Sequence, residues 1–278
     1  MPEARSDLED FFACSDYCSP KSLLTALSTY QAISEKTGNK SPLIFKDLLS
    51  NTGNGALFRR SGDGDAKAIE TFIWLSQVKR LAESIVSTGK VSSFKNLELH
   101  QLKEIAKLSL DVESLESISS HLLNYGIVLI YLQQTSGMKT DGVLFKLSCG
   151  TPVVGMTLRY DRYDYYWFTL MHELAHLVLH YEKIEEPHFD CVDDGINDDI
   201  IELQANQASR DSFVSRSDWR TATVRRFHSD EELYKNAKNL SIHPAILAGL
   251  VRYEAGNYTI FNKIINQISV RRIVAHDA

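Results

Sequence analysis

Apolar residues recur at helical spacing through much of the first 120 positions. Leu23, Leu24, Leu27, Tyr30, Gln31 and Ile33 form one amphipathic stretch. Ile69, Phe72, Ile73, Leu75, Val78, Leu81, Ala82 and Ile85 form a second, close to a 3.6-residue period. Between them, Gly53, Gly55, Gly62 and Gly64 stand among Asn, Ser and Asp over 51–65, which predicts a loop. Helix is predicted again over Leu99–Leu110 and Val112–Asn124. The texture then changes. Gly126–Leu132, Gly142–Leu147 and Pro152–Leu158 are short, β-branched and separated by turn residues, which predicts three strands of a small sheet. Their connections are too short for helical crossovers, so the expected pairing is antiparallel. A helix over Asp164–Tyr181, an acidic loop over Glu182–Asp199, a helix over Ile200–Val214 and two or three further helices complete the chain. The pattern predicts an α+β fold: mostly helical, with a three-stranded sheet packed on the Asp164–Tyr181 helix. It divides into a helical region, 1–120, and a second region, 121–278.

Composition narrows the function classes. The 278 residues are 44% hydrophobic and 24% charged, which is ordinary for a globular protein and excludes a disordered or low-complexity chain. The net charge of −6 argues against a strongly basic nucleic-acid binder, so direct binding to nucleic acid is not expected. No run is long and apolar enough to span a membrane. The N-terminus lacks a secretory pattern, and four cysteines in this length suit a reducing compartment, so the expected location is the cytoplasm. Charge is uneven. Asp161–Glu202 holds 12 acidic and 2 basic residues, whereas Arg216–Arg272 holds 10 basic and 5 acidic. The basic block reads as a solvated helical face or, alternatively, as a docking surface for an acidic partner.

The strongest chemical signal is His172-Glu173-Leu174-Ala175-His176. On a helix, positions i and i+4 share one face, so two imidazoles at this spacing can converge on a single zinc ion. Glu173 can then reach an attacking water without occupying a coordination place. The plainer alternative is two satisfied core histidines and a surface glutamate. The apolar flanks on every side favour a buried helix, where unpaired polar groups cost several kcal/mol and a metal would satisfy them. A third ligand must come from elsewhere. His180 lies eight residues from His172, about 12 Å along a straight helix, and no glycine breaks the helix between. His188 and the loop aspartates fall in the acidic segment. Glu202 lies on the next predicted helix, with Asn206 one turn later. Yet Asp199-x-x-Glu202 also fits a capping box, and spacing alone leaves Glu202 divided between cap and ligand.

The run Trp167-Phe-Thr-Leu-Met-His-Glu-Leu-Ala-His-Leu-Val-Leu-His180, followed some 25 residues later by Glu202-Leu-Gln-Ala-Asn-Gln-Ala208, resembles the ImmA/IrrE zinc metallopeptidases of bacteria and their phages. The resemblance is firm over about Gly126–Phe213 and weaker through Ser241–Arg252. It implies a zincin-like metallopeptidase domain with a helical tail over 121–278. It implies zinc held by His172, His176 and Glu202, with Glu173 as catalytic base. It implies a protein substrate, a helix-turn-helix repressor or antitoxin, whose cleavage switches on a stress, mobile-element or defence operon. Longer relatives carry a helix-turn-helix domain. Here Ile33–Gly38 only faintly fits one, and the simplest account is a peptidase with a helical lead-in. The competing function is an antitoxin-like or regulatory binding protein that keeps the zinc fold with little proteolysis.

A peptidase also needs a donor for the developing oxyanion. Tyr160, Tyr163, His180 and Arg159 are the candidates, although the tyrosines could equally pack over the start of the helix. Asp164 is the expected N-cap of that helix. Asn206 or a loop aspartate is expected to accept the second N–H of a ligand histidine. Cys14-x-x-x-Cys18 lacks a second pair and carries no metal expectation. Asp190–Gly195 fails the calcium-loop pattern, because Val192 and Ile201 occupy ligand positions.

Overall fold

The computed structural model describes residues 30–31, 34–35, 66–134, 138, 140–184, 188–190 and 200–274. The Leu23–Ile33 stretch therefore lies almost wholly outside the described residues. So do the 51–65 loop, the Cys14/Cys18 pair and Asp199. The chain divides into two compact units, residues 1–77 with 135–138 and residues 78–134 with 139–278. In the first, the described residues 30–31 and 34–35 are helical, and Trp74 is fully buried.

The described elements in order are α1 (Ala66–Ser87), α2 (Leu99–Lys107), α3 (Ser114–Asn124), β1 (Val128–Tyr131), β2 (Gly142–Lys146), β3 (Pro152–Met156), α4 (Tyr163–His180), β4 (His188–Asp190), α5 (Ile200–Phe213), α6 (Arg216–Thr221), α7 (Asp230–Leu240), α8 (Pro244–Ala255), α9 (Asn262–Ile265) and α10 (Val270–Val274). Local chemistry sets several boundaries. The Ser229 hydroxyl accepts from the Glu232 amide at 3.2 Å and starts α7. His243 Nδ1 accepts from the Ala245 amide at 3.1 Å, and Pro244 opens α8 where its missing N–H costs nothing. Gly126 turns the chain from α3 into β1 at φ +78°; a Cβ there would stand 2.5 Å from the Phe94 Cα.

The sheet corrects the expected pairing. Its order is β1-β3-β2-β4, with β1 and β3 parallel in the register Val128↔Val153 and Tyr131↔Met156. β2 pairs antiparallel with β3 on one side and with β4 on the other. The prediction that no helix crosses over holds. However, the 132–141 connection sets β2 one strand-width away from β1, and β3 folds back through a tight hairpin into the gap. Leu147 donates its amide to Thr151 O at 2.9 Å to close that hairpin. Part of the predicted acidic loop supplies the fourth strand.

α4 lies at the centre of the second unit. Fourteen of its eighteen residues are buried, so it meets protein on every side rather than along one stripe. It packs on β2 and β3 and is flanked by α2, α5 and α8. Leu102, Ile105, Leu144, Val154, Leu170, Leu174 and Ile246 form the surrounding core, all 0% exposed. Truncating such a residue to alanine removes about 2–5 kcal/mol. Gly249 of α8 admits the close approach of α4, since a Cβ there would lie 2.7 Å from both Asp164 and Phe168. Among the described residues, no helix is long and apolar enough to cross a membrane.

Asp164 is not the N-cap. Arg162 takes that position with extended backbone, and Asp164 sits buried inside the first turn, where its charge meets the free amides of the helix start. Arg162 Nε donates to Asp164 Oδ1 at 3.1 Å.

Candidate metal centre

His172 and His176 lie one turn apart on the inward face of α4, at 7% and 2% exposure. Their Nε2 atoms approach to 2.9 Å. α5 runs against α4 and brings Glu202 to the same point. Glu202 Oε2 lies 3.3 Å from His172 Nε2, and Oε1 lies 3.3 Å from His176 Nε2. The three donor groups fall within 4.8 Å of one another, and all three residues are buried. Tetrahedral ligands about 2.05 Å from a zinc ion stand about 3.3 Å apart, so this spacing suits a small divalent cation. The capping-box alternative for Glu202 does not describe this side chain, which faces the imidazoles; Asp199 lies outside the described residues.

Glu173 is 0% exposed beside this cluster. Its carboxylate rests against the backbone of β2 at Gly142: a Cβ there would collide with Glu173 Oε1 and stand 3.0 Å from Thr169 Cγ2. Glycine at the first position of β2 therefore lets the carboxylate sit on the strand. The chemistry of the donor set also fits a cation. Two carboxylates and two imidazoles share a buried space, and with neutral imidazoles the local charge is −2. Two imidazoles and a carboxylate at ligand spacing, beside a second carboxylate, are the donor chemistry that a divalent cation takes.

Residues 124–239 match the family model of the IrrE N-terminal-like domain, Peptidase_M78. This segment is similar to the IrrE-like metallopeptidases. A search of curated proteins finds no match to the chain. The matched segment contains all three converging side chains, Glu173 and the whole of the sheet.

The remaining candidates of this IrrE-like domain fall elsewhere. Tyr163 is fully buried and donates its hydroxyl to Ser109 O at 2.9 Å, away from the cluster. Burial pushes its pKa up to about 12, so it stays a protonated donor. In this arrangement its hydroxyl is engaged by Ser109 O and Asp111 O. Tyr160 is 36% exposed; its hydroxyl accepts from Arg159 Nη2 at 3.1 Å and its ring meets Tyr165 edge-on. Asn206 is exposed, because α5 turns Glu202, Ala205 and Ser209 inward and leaves position 206 outside. Among the described residues no hydrogen bond joins it to either imidazole. His180 is buried at the end of α4, and its Nε2 lies 3.0 Å from Gln204 Oε1.

Three further features escaped sequence reasoning. Gly142 reads there only as the start of a strand. Gln204 is a polar residue on an exposed helix face. Asp141 is 3% exposed, accepts from the Tyr165 hydroxyl at 2.7 Å and pairs with Arg159 Nε at 2.9 Å. That cluster fixes the backbone that enters β2 and carries Gly142. The Asp141-Gly142 pair was the available signal, and it reads as a turn.

Proposed function

We propose that the protein is a zinc-dependent endopeptidase of the cytoplasm whose substrate is a helix-turn-helix repressor or antitoxin. The observation that carries the hydrolase reading is the convergence of His172, His176 and Glu202 beside the buried carboxylate of Glu173. The similarity of the 124–239 segment to that family supports the reaction class. The substrate class rests on the resemblance of the two helix motifs.

His172, His176 and Glu202 would hold the ion. A divalent cation bound there supplies Lewis acidity, which makes a water more acidic and a carbonyl more electrophilic. The chain's own residues supply the rest. Glu173 takes a proton from the attacking water at its carboxylate and returns it to the leaving amide nitrogen. Its burial against Gly142 keeps that carboxylate in one orientation between the two transfers. The apolar walls of α4 exclude bulk water from the exchange.

The test is incubation of the zinc-loaded protein with the helix-turn-helix protein encoded beside its gene, read by mass spectrometry of the fragments. The expected result is one set of new termini with wild type and none with Glu173→Gln. Tight binding without cleavage by either form supports the antitoxin-like binding function instead.

A further inference from the structure

We propose that His180 and Gln204 are positioning residues for the metal centre: their hydrogen bond across α4 and α5 sets how far Glu202 reaches toward the imidazole pair. The proposal rests on the metallopeptidase reading above and concerns residues outside the ligand set.

The argument starts from the interface between the two helices. α5 offers α4 a thin apolar surface. Its buried residues are Glu202, Ala205, Ser209, Ser212 and Phe213. Only Phe213 is large, and it meets Phe168 edge-on at 5.6 Å, at the end of α5 far from Glu202. In the first turn Ile200 is 69% exposed and Leu203 is 55% exposed, so neither anchors it. The first turn of a helix also lacks part of the internal hydrogen bonding that holds later turns. Among the described residues, the end of α5 that carries Glu202 buries, of its apolar side chains, only Ala205 fully and Ile201 in part, besides the contact of α2 with α5.

Polar contacts remain. His180 Nε2 and Gln204 Oε1 stand 3.0 Å apart, an ordinary hydrogen-bond distance. His180 Nδ1 is buried without a hydrogen-bond partner among the described residues, so the bond to Gln204 is the ring's polar anchor there. The same imidazole packs on His176, with ring centroids 5.5 Å apart and planes tilted by 48°. One side chain thus touches a ligand ring and ties down the helix that bears the third ligand. His180 cannot be a ligand itself, being one turn past His176 and turned to Gln204. Partners of this kind typically change metal affinity by about 10–100-fold when removed.

The experiment measures Zn2+ affinity by competition with a chromophoric chelator, together with the thermal midpoint of the metal-free protein. Gln204 is exposed, so Gln204→Leu keeps the fold. The expected loss of Zn2+ affinity is about ten-fold or more, with the metal-free midpoint unchanged. Gln204→Glu retains an acceptor for His180 and is expected to bind Zn2+ close to wild type. His180→Phe keeps a ring against His176 but loses the bond. Its deficit is expected to match that of Gln204→Leu, and the double variant to add nothing further. Wild-type affinity in Gln204→Leu, or equal losses in the Leu and Glu variants, overturns the proposal while leaving the metal centre intact. Failure of the wild-type protein to bind Zn2+ overturns the metallopeptidase reading itself.

Discussion

The two halves of α4 treat their polar groups in opposite ways. In the first half the tyrosines and Asp164 each have a protein partner, while the Trp167 Nε1 and Thr169 Oγ1 atoms have none among the described residues. Tyr163 donates to Ser109 O, Asp164 pairs with Arg162, Tyr165 donates to Asp141, and the hydroxyls of Tyr166 and Tyr131 meet at 2.6 Å. In the second half His172, Glu173 and His176 lie together, and α5 adds a second carboxylate to the group. The first arrangement ties the tyrosines and Asp164 to neighbouring elements one by one. The second gathers two imidazoles and two carboxylates at one point, and three of these groups have the spacing of a cation's ligand set. Burial alone does not distinguish them, since both halves are equally enclosed. What differs is where the lone pairs and protons go.

This contrast can be broken from either side. The largest effect is expected in the second half. Glu173→Gln removes the proton acceptor and should lower cleavage by about 10²–10⁴-fold, with zinc stoichiometry retained. Gly142→Ala comes next, because its methyl group would displace the Glu173 carboxylate from the strand. Cleavage should fall by up to about a hundred-fold, and overpacking should cost about 1–3 kcal/mol in denaturant melts. A variant with full activity would show that the carboxylate does not depend on this contact.

In the first half the effects should fall on stability alone. Tyr163→Phe removes a fully buried hydroxyl from Ser109 O and Asp111 O. It should cost about 0.5–1.5 kcal/mol and leave metal content unchanged. The smallest expected effect concerns His243, whose ring packs on Tyr163 at 4.7 Å and caps α8. Burial pushes its pKa below the ordinary imidazole value. The unfolded chain therefore binds the proton more readily, and stability rises with pH. This contribution is complete above about pH 6.5 and is lost as pH falls through that value toward the lower, folded one. His243→Asn keeps a cap acceptor without titrating. Its thermal midpoint should drop less than that of wild type between about pH 7.5 and 5.5.

Much of this was legible in the chain. The apolar surroundings of His172 to His176 mark a helix buried on all sides, and its bounds agree with the structure to within one residue. Glu202 was ambiguous because a carboxylate three residues into a helix can serve the helix or a neighbour, and only the approach of α5 to α4 decides. The parallel β1–β3 pair was illegible for a different reason. Strand lengths and turn residues say where strands are but not which gap a third strand fills. The start of α4 was misread because Asp is a good cap in general, whereas here the extended residue is Arg162 and Asp164 is fixed by its ion pair. The contacts of Asp141, Gly142 and Gln204 join positions far apart in the chain, and no local pattern marks them.

The most direct test of the central claim is the metal content of the purified protein after dialysis against trace zinc, measured by inductively coupled plasma mass spectrometry. About one zinc ion per chain in wild type, and essentially none in Glu202→Ala, is the predicted result. A wild-type protein that emerges free of metal, or a Glu202→Ala variant that holds as much zinc, contradicts it.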